Sequence, residues 1–191
     1  MKKQTLKISS IFAAIMLVVI SMSCGSDDPE PVNEEEVITT LNVTFTNTQD
    51  ASDVVTASFQ DLDGEGGNNG TTTNPTLSAN TTYTVTVEFL NESETPAEDI
   101  TEEVAEEDDE HQVFYIVGTG LNMTYAYGDQ DGNGAPLGLT GTATVGDAGN
   151  GTLTIVLVHE PAKDAAGVSD GNIANAGGEE DIRVDFSVTV Q

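Results

Sequence analysis

The sequence predicts an all-β protein, an antiparallel β-sandwich of Ig-like architecture with about eight strands. Three observations predict it: short runs alternate apolar and polar residues, threonine and β-branched residues dominate these runs, and turns rich in glycine and asparagine separate them. Residues 97–110 are the one helical candidate, so helical crossovers between strands are not expected. Because the sequence has a single cysteine, such a sandwich would lack the inter-sheet disulfide of antibody domains.

The expected strands follow from alternating positions that would face a core. In chain order they cover residues 41–46, 55–59, 83–89, 113–117, 121–127, 139–145, 153–158 and 182–190. Gly118-Thr119-Gly120 predicts that the fourth and fifth strands pair as a hairpin. The glycine-rich segment 146–151 predicts the same for the sixth and seventh strands.

The N-terminus carries an export pattern. Lysines at positions 2, 3 and 7 precede the apolar segment 11–20, which is too short to span a bilayer and is typical of a secretory signal. Ser23-Cys24 resembles a lipobox, the cleavage and lipidation site of bacterial lipoproteins. We predict a signal peptide over 1–23, lipidated Cys24 and an acidic flexible tether over 24–36, and one β-sandwich domain over 37–191. The alternative is an ordinary secreted protein with one free thiol.

The net charge of the chain limits the classes of partner that it can bind. All 33 acidic residues follow position 23, together with two basic residues, Lys163 and Arg183, so that this part carries a formal charge of −31. Such a charge repels nucleic acid and anionic lipid and attracts cations. Lipidation of Cys24 would leave no thiolate for a metal site or a nucleophile. We therefore expect no nucleic-acid binding, and a membrane association that depends on the lipid anchor.

Two turns repeat the pattern D-x-D-x-[EN]-G, which resembles the first half of a calcium loop. The candidate ligands are Asp129, Asp131 and Asn133 in one turn, and the weaker candidates are Asp61, Asp63 and Glu65 in the other. Each loop has threonine at its twelfth position, where an EF-hand has a bidentate glutamate. The alternative is that these aspartates and glycines are ordinary turn residues.

The sequence contains two histidines, each at a predicted strand end beside a glutamate. His111 follows Glu110, and His159 precedes Glu160. If the two strands are neighbours there, two imidazoles and nearby carboxylates could bind Zn²⁺ or Cu²⁺. The alternative is a pair of structural histidines. The acidic run 98–110 is either a solvated loop or part of a cation or partner site, because like charges at helical spacing repel.

Several segments resemble a group of Bacteroidota lipoproteins often labelled "type 1 periplasmic binding domain" proteins. They are 110–115 (EHQVFY), 127–134 (YGDQDGNG), 159–163 (HEPAK) and 176–182 (AGGEEDI), within a resemblance that spans 36–191. Residues 26–30 (SDDPE) are similar to the acidic export signals of surface-exposed lipoproteins, or are a solvated spacer. The resemblance implies an outer-membrane setting, on the periplasmic or cell-surface face, beside TonB-dependent receptors. The label denotes an α/β fold, which the residues do not predict.

These observations predict a binding module that captures a cation or cationic ligand, with a Ca, Zn or Cu ion as the candidate, for an outer-membrane transport partner. The alternative is a structural or adhesive docking domain that binds no small ligand. The sequence has no H-E-x-x-H and no phosphate-binding glycine loop, and its one G-x-S-x-G, at 167–171, lies between the predicted strands 153–158 and 182–190 and not at a strand-to-helix elbow. We therefore expect no enzymatic activity.

Overall fold

The computed structural model of this chain describes residues 36–63 and 70–191. The predicted signal peptide, Cys24, most of the tether and Glu65 lie outside these residues. Within them the strands are β1 Thr40–Asn47, β2 Val54–Gln60, β3 Thr71–Thr73, β4 Thr76–Leu77, β5 Thr82–Asn91, β6 Glu98–Asp99, β7 His111–Val117, β8 Met123–Tyr127, β9 Thr140–Val145, β10 Gly149–His159 and β11 Glu179–Val190. One α-helix, α1, spans Ile100–Glu106.

The strands form two sheets. The larger sheet has the order β3-β2-β1-β5-β9-β8, with β6 paired to β5, and the smaller has the order β4-β11-β10-β7. All pairs are antiparallel except the short β4–β11 pair. The predicted all-β antiparallel sandwich is confirmed. Its eight predicted strands correspond to the eight strands of five or more residues, and β3, β4 and β6 are short additions.

One apolar core lies between the sheets. Alternate residues of each long strand point inward, which is why β5 and β11 repeat buried and exposed positions. The largest fully buried core side chains are Tyr83, Phe45, Phe89, Phe186, Leu41, Leu77, Ile100, Leu153, Ile155 and Leu157. Both sheets and this core lie within the described residues.

Both predicted hairpins are wrong. Strand β7 belongs to the smaller sheet and β8 to the larger, and β9 and β10 are likewise divided between the two sheets. The glycine turns therefore carry the chain from one sheet to the other. At Gly120, with φ of +91°, an added Cβ would lie 2.8 Å from the Asn150 carbonyl oxygen, so the turn needs glycine. A short turn between two strands does not specify that they hydrogen-bond to each other.

The helix is shorter than its acidic segment. Asp99 is the N-cap, and its side chain accepts a hydrogen bond from the Thr101 amide. Ile100 and Val104 are buried in the core, and this apolar contact holds the helix against the sandwich. The helix ends before residues 107–110, which form a turn leading into β7. Among the described residues no helix is long and apolar enough to cross a membrane.

A long loop covers the outer face of the smaller sheet. Phe114 of β7 and Val156 and Val158 of β10 point away from the main core and pack with Val168 and Ala176 in a second apolar cluster. The loop that links β10 to β11 supplies Val168 and Ala176 and has 3-10 turns at Val168–Asp170 and Ile173–Asn175. Through these two residues the loop is part of the packed structure.

We expect Val168→Ala to lower the free energy of unfolding by about 2 kcal/mol, because it removes two buried methyl groups and leaves a cavity. Val168 is fully buried, whereas Val37 is 58% exposed. Val37→Ala is therefore the matched control, with an expected loss within about 0.5 kcal/mol. Urea unfolding of residues 25–191 measures both variants. Equal midpoints for the two would show that the loop is not anchored through Val168.

Candidate metal centre

The two histidines meet at one end of the sandwich. His111 opens β7 and His159 ends β10, and the two residues are direct partners in the antiparallel register of these strands. Their side chains share the inward face with core residues such as Val113 and Leu157. The rings stack with centroids 4.6 Å apart and planes 19° apart. The condition for a histidine metal site, that the two strands are neighbours at that end, is met. We call His111 and His159 the histidine pair.

The histidine pair is buried with ring nitrogens that lack hydrogen-bond partners. His111 is fully buried and His159 is 5% exposed. Within residues 36–63 and 70–191, neither His111 Nε2 nor either ring nitrogen of His159 has a hydrogen-bond partner. A buried polar atom left unsatisfied costs about 1–3 kcal/mol. Three such atoms in one place identify this end of the sandwich as the candidate site.

The tautomer of His111 follows from its contact with the turn after α1. His111 Nδ1 lies 3.3 Å from the Glu107 carbonyl oxygen, which can only accept, so Nδ1 carries the proton. Burial lowers the pKa of His111, and the ring is therefore neutral at pH 7. Nε2 is left with its lone pair, as a metal ligand requires, and it lies 4.0 Å from a carboxylate oxygen of Asp181.

Carboxyl groups surround the histidine pair. They are Glu36, Glu103, Glu107, Glu110, Glu160 and Asp181. Glu110 Oε2 lies 3.7 Å from His159 Nε2. Lys163 pairs with Asp131 and Arg183 pairs with Glu180. The site therefore collects six carboxyl groups around two imidazole rings.

The ligand atoms fall into two groups, one on each histidine. The Glu36 triad consists of Glu36, Glu107 and His111, and the Glu160 triad consists of Glu110, His159 and Glu160. Within each triad one ligand atom per residue lies within 4.8 Å of the others. Ligand atoms of tetrahedral Zn²⁺ lie about 2.0–2.2 Å from the ion, hence roughly 3.3 Å from one another. Small side-chain rotations would bring either triad to that spacing.

Crowding of carboxyl groups is visible in the ionisation of Glu36. Burial, a hydrogen bond with Glu103 and the negative charges of Glu103, Asp181 and Glu107 raise the pKa of Glu36 to about 7. The Glu36 carboxyl group therefore keeps its proton up to about neutral pH, in a hydrogen bond with Glu103. The proton on Glu36 reduces the negative charge of the site, as a bound metal cation would.

The backbone at Glu160 is strained. Its φ is +50°, a left-handed conformation that is unfavourable for a glutamate. The amide of Glu160 donates to the Glu110 carbonyl oxygen at 2.6 Å, which ties the two carboxylate-bearing residues of the Glu160 triad together. Gly178, whose Cβ would clash with the His159 carbonyl oxygen, lets the returning chain pass close to this turn.

Solvent reaches the Glu36 side of the site through a surface pocket of about 490 Å³. Its lining includes Glu36, Phe59, Asp61, Asp181 and Arg183. An ion could therefore approach the Glu36 triad without opening the sandwich. Asp61 borders this pocket, but it belongs to neither triad.

The predicted calcium turn around Asp129 uses its carboxylates to fix the backbone. Asp129 accepts hydrogen bonds from the amides of Gly138 and Thr140, at 2.7 and 2.9 Å. Asp131 accepts from the amides of Asn133 and Ala135 and pairs with Lys163 Nζ at 3.0 Å. The turn-residue interpretation accounts for all of these contacts, and the lysine ammonium neutralises Asp131.

The ion pair of Asp131 and Lys163 is buried, with 5% and 9% of each residue exposed. Burial would raise the pKa of Asp131, but the hydrogen bonds from Lys163 and from the Ala135 and Asn133 amides outweigh it and lower the pKa. The weaker turn, with Asp61 and Asp63, joins no candidate metal cluster among the described residues. The structure therefore brings His111 and His159 together but separates them from both aspartate turns.

Three residues of the site are not predicted as ligands by the sequence. They are Glu36, at the expected tether boundary, Glu107 and Asp181. Glu107 stands in the acidic run four positions before His111, a spacing that is a usable signal once a helical turn is assumed between them. Glu36 and Asp181 are 75 and 70 positions from His111 and carry no local pattern.

No protein-family model matches this chain, and comparisons with curated proteins and with solved structures found no match. The fold and the geometry of the site are therefore the grounds on which a function can be assigned.

We expect Lys163→Met to lower the free energy of unfolding by about 3 kcal/mol, because it leaves the buried Asp131 carboxylate without its cation. The double variant Asp131→Asn/Lys163→Met should recover more than half of this loss, since the introduced asparagine keeps an acceptor for the backbone amides. Urea unfolding measures both. If Ca²⁺ but not Mg²⁺ stabilises the wild-type protein and Asp131→Asn abolishes the effect, Asp131 is a calcium ligand instead.

Ionisation of Glu36 should destabilise the metal-free protein as the pH rises. The pKa of Glu36 lies at about 7 in the folded protein, against an ordinary value of 4.5. The folded chain therefore binds more protons between these values, and the free energy of unfolding falls as the pH rises through that window. We expect Glu36→Gln to raise the melting temperature at pH 8 and leave it unchanged at pH 4.5.

Thermal melts in chelator at both pH values measure this effect. Glu94→Gln removes one carboxylate from the exposed loop after β5 and is the charge-matched control. A rise of about 2–4 °C, which corresponds to about 1 kcal/mol, should appear for Glu36→Gln at pH 8 alone. The same rise in the control would assign the effect to net charge.

Proposed function

We propose that this chain is an outer-membrane lipoprotein, anchored through Cys24, whose β-sandwich binds a divalent transition-metal ion at the histidine pair. The observation that carries the proposal is the burial of three unpartnered ring nitrogens of His111 and His159 beside carboxylates. Coordination to a metal would satisfy nitrogens that otherwise cost stability. Zn²⁺ and Cu²⁺ are the ions favoured by imidazole, whereas Ca²⁺ takes oxygen ligands.

The proposed role is capture of the ion for a transport partner in the outer membrane, such as a TonB-dependent receptor. Its support is the resemblance to Bacteroidota lipoproteins and the formal charge of −31 after residue 23. Such a charge concentrates cations near the surface and speeds their encounter with the site. The lipid on Cys24 would hold the domain at the membrane, on its periplasmic or cell-surface face.

A docking module without a small ligand is the second candidate. One observation favours it: the outer face of the larger sheet is broad and polar, with Thr44 opposite Thr56 and Thr86, and Thr86 opposite Thr140. Such a face could contact another protein through hydroxyl groups. The docking module requires no metal-dependent stability, which separates it from the first proposal.

Thermal melts of residues 25–191, stripped with chelator and titrated with Zn²⁺, Cu²⁺, Ca²⁺ and Mg²⁺, test the metal proposal. At a hundredfold excess over Kd, an ion that binds the folded state adds about 2.7 kcal/mol, or roughly 5–10 °C. We expect a saturable rise with Zn²⁺ or Cu²⁺ and not with Mg²⁺. His159→Gln should reduce it, and Glu94→Gln should not.

Equal small shifts with all four ions would indicate general screening of the acidic surface, and the docking module would then be preferred. A rise with Ca²⁺ that survives His159→Gln would move the site away from the histidines. His111→Gln is a second variant that tests the other ring, provided that its melt in chelator shows that it folds.

A further inference from the structure

We infer that the histidine pair separates two metal sites, so that the Glu36 triad binds a second ion beside the one bound by the Glu160 triad. The second ion would link the start of the domain to the end of α1 and to β7. This inference rests on the proposed function, since it specifies the number of ions and the role of one of them.

Ring geometry argues against a single ion shared by both histidines. A metal bound to imidazole lies near the ring plane, along the nitrogen lone pair. The two rings are stacked with planes 19° apart and centroids 4.6 Å apart, so their lone pairs run side by side and do not converge. An ion in the plane of His111 therefore lies off the plane of His159, and each ring needs its own ion.

Each triad has its own carboxylates and its own unpartnered nitrogen. His111, whose buried Nε2 has no hydrogen-bond partner, offers one ring nitrogen to the triad with Glu36 and Glu107, and His159, whose two ring nitrogens have none, offers one to the triad with Glu110 and Glu160. No residue belongs to both triads. Each ion would thus have one imidazole and two carboxylates, with water or another group completing its coordination.

Charge in the site is sufficient for two ions. Two divalent ions bring four positive charges into a site with six carboxyl groups, one of which, Asp181, lies 4.0 Å from His111 Nε2. Repulsion between neighbouring dications would make the second ion weaker than the first. The two binding events should therefore be resolved in a titration.

The second ion would restrain the first residues of the domain, just before β1. Glu36 precedes β1, Glu107 follows the last turn of α1, and His111 opens β7. These three residues come from separate segments, so an ion bound to all of them would restrain the first residues of the domain. The amides just after Glu36 should then exchange hydrogen more slowly when the second ion is bound.

The stoichiometry of bound Zn²⁺ is the first test, measured by isothermal titration and by metal analysis after dialysis of residues 25–191. We expect two ions per chain. Glu36→Gln and Glu160→Gln should each lose one ion, with its affinity reduced at least about 100-fold, because a lost direct ligand costs more than the 10–100-fold of a lost supporting contact. The remaining ion should bind at least as tightly as in the wild type, since the triads share no ligand and the repulsion from a neighbouring ion is removed.

Hydrogen exchange is the second test. On loading with Zn²⁺, peptides that contain residues 37–39 should exchange about tenfold more slowly in the wild type and in Glu160→Gln. Glu36→Gln should abolish this protection. Glu106→Gln, which removes an exposed carboxylate of α1 outside both triads, is the matched control and should bind two ions.

The outcomes are distinguishable. Absence of binding of both Zn²⁺ and Cu²⁺ overturns the proposed function together with the second site. One ion per chain, lost in both Glu36→Gln and Glu160→Gln, leaves the proposed function standing and overturns the second site. Two ions that persist in Glu36→Gln would place the second ion elsewhere and likewise overturn the inference.

Discussion

The register of β10 between its two neighbours is the constraint on which the site depends. Side chains alternate between the faces of a strand, so a slip by one residue against β7 would turn His159 out of the interior. The observed register places His159 opposite His111 with both rings inward. On the other side of β10 the pairing with β11 shifts between Leu157 and Val158, where a bulge gives β11 an extra residue. That extra residue is Asp181, which reaches the histidine pair.

The interior of the sandwich changes from apolar to polar at the end that holds the histidine pair. Along most of its length the space between the sheets is filled by apolar side chains, and at the end it is filled by two imidazoles under a layer of carboxyl groups. Helix α1 lies at the boundary between the apolar core and the polar end. Ile100 and Val104 complete the core, while Glu103 and Glu107 approach Glu36. The repulsion among these acids is relieved by the proton that Glu36 keeps up to about neutral pH, and the proposed cation would relieve it at the same carboxyl group.

Most strands could be predicted from the sequence because alternation and β-branched composition are local signals. Strand pairing could not, since the turns at 118–122 and 146–148 have the length of hairpin connections yet lead from one sheet to the other. From the sequence, the histidine site could be predicted only on the condition that β7 and β10 are neighbouring strands. No sequence pattern marks Glu36 or Asp181. Among 33 acidic residues, a candidate ligand is distinguished by its position near the histidines, which the sequence does not show.

The two candidate sites differ more clearly in how many of their polar atoms are already hydrogen-bonded than in how many acidic residues they contain. The Asp129 turn has the more specific sequence pattern, but backbone amides and Lys163 already occupy its carboxylates, and a calcium ion would have to displace them. The histidine pair has a weaker pattern, yet three of its four ring nitrogens are buried without hydrogen-bond partners. A bound ion gains most where it replaces no existing contact, because it then relieves a cost of burial and breaks nothing. The same consideration explains why Asp131 acts as a structural residue and why we place the proposed metal site at the histidine pair.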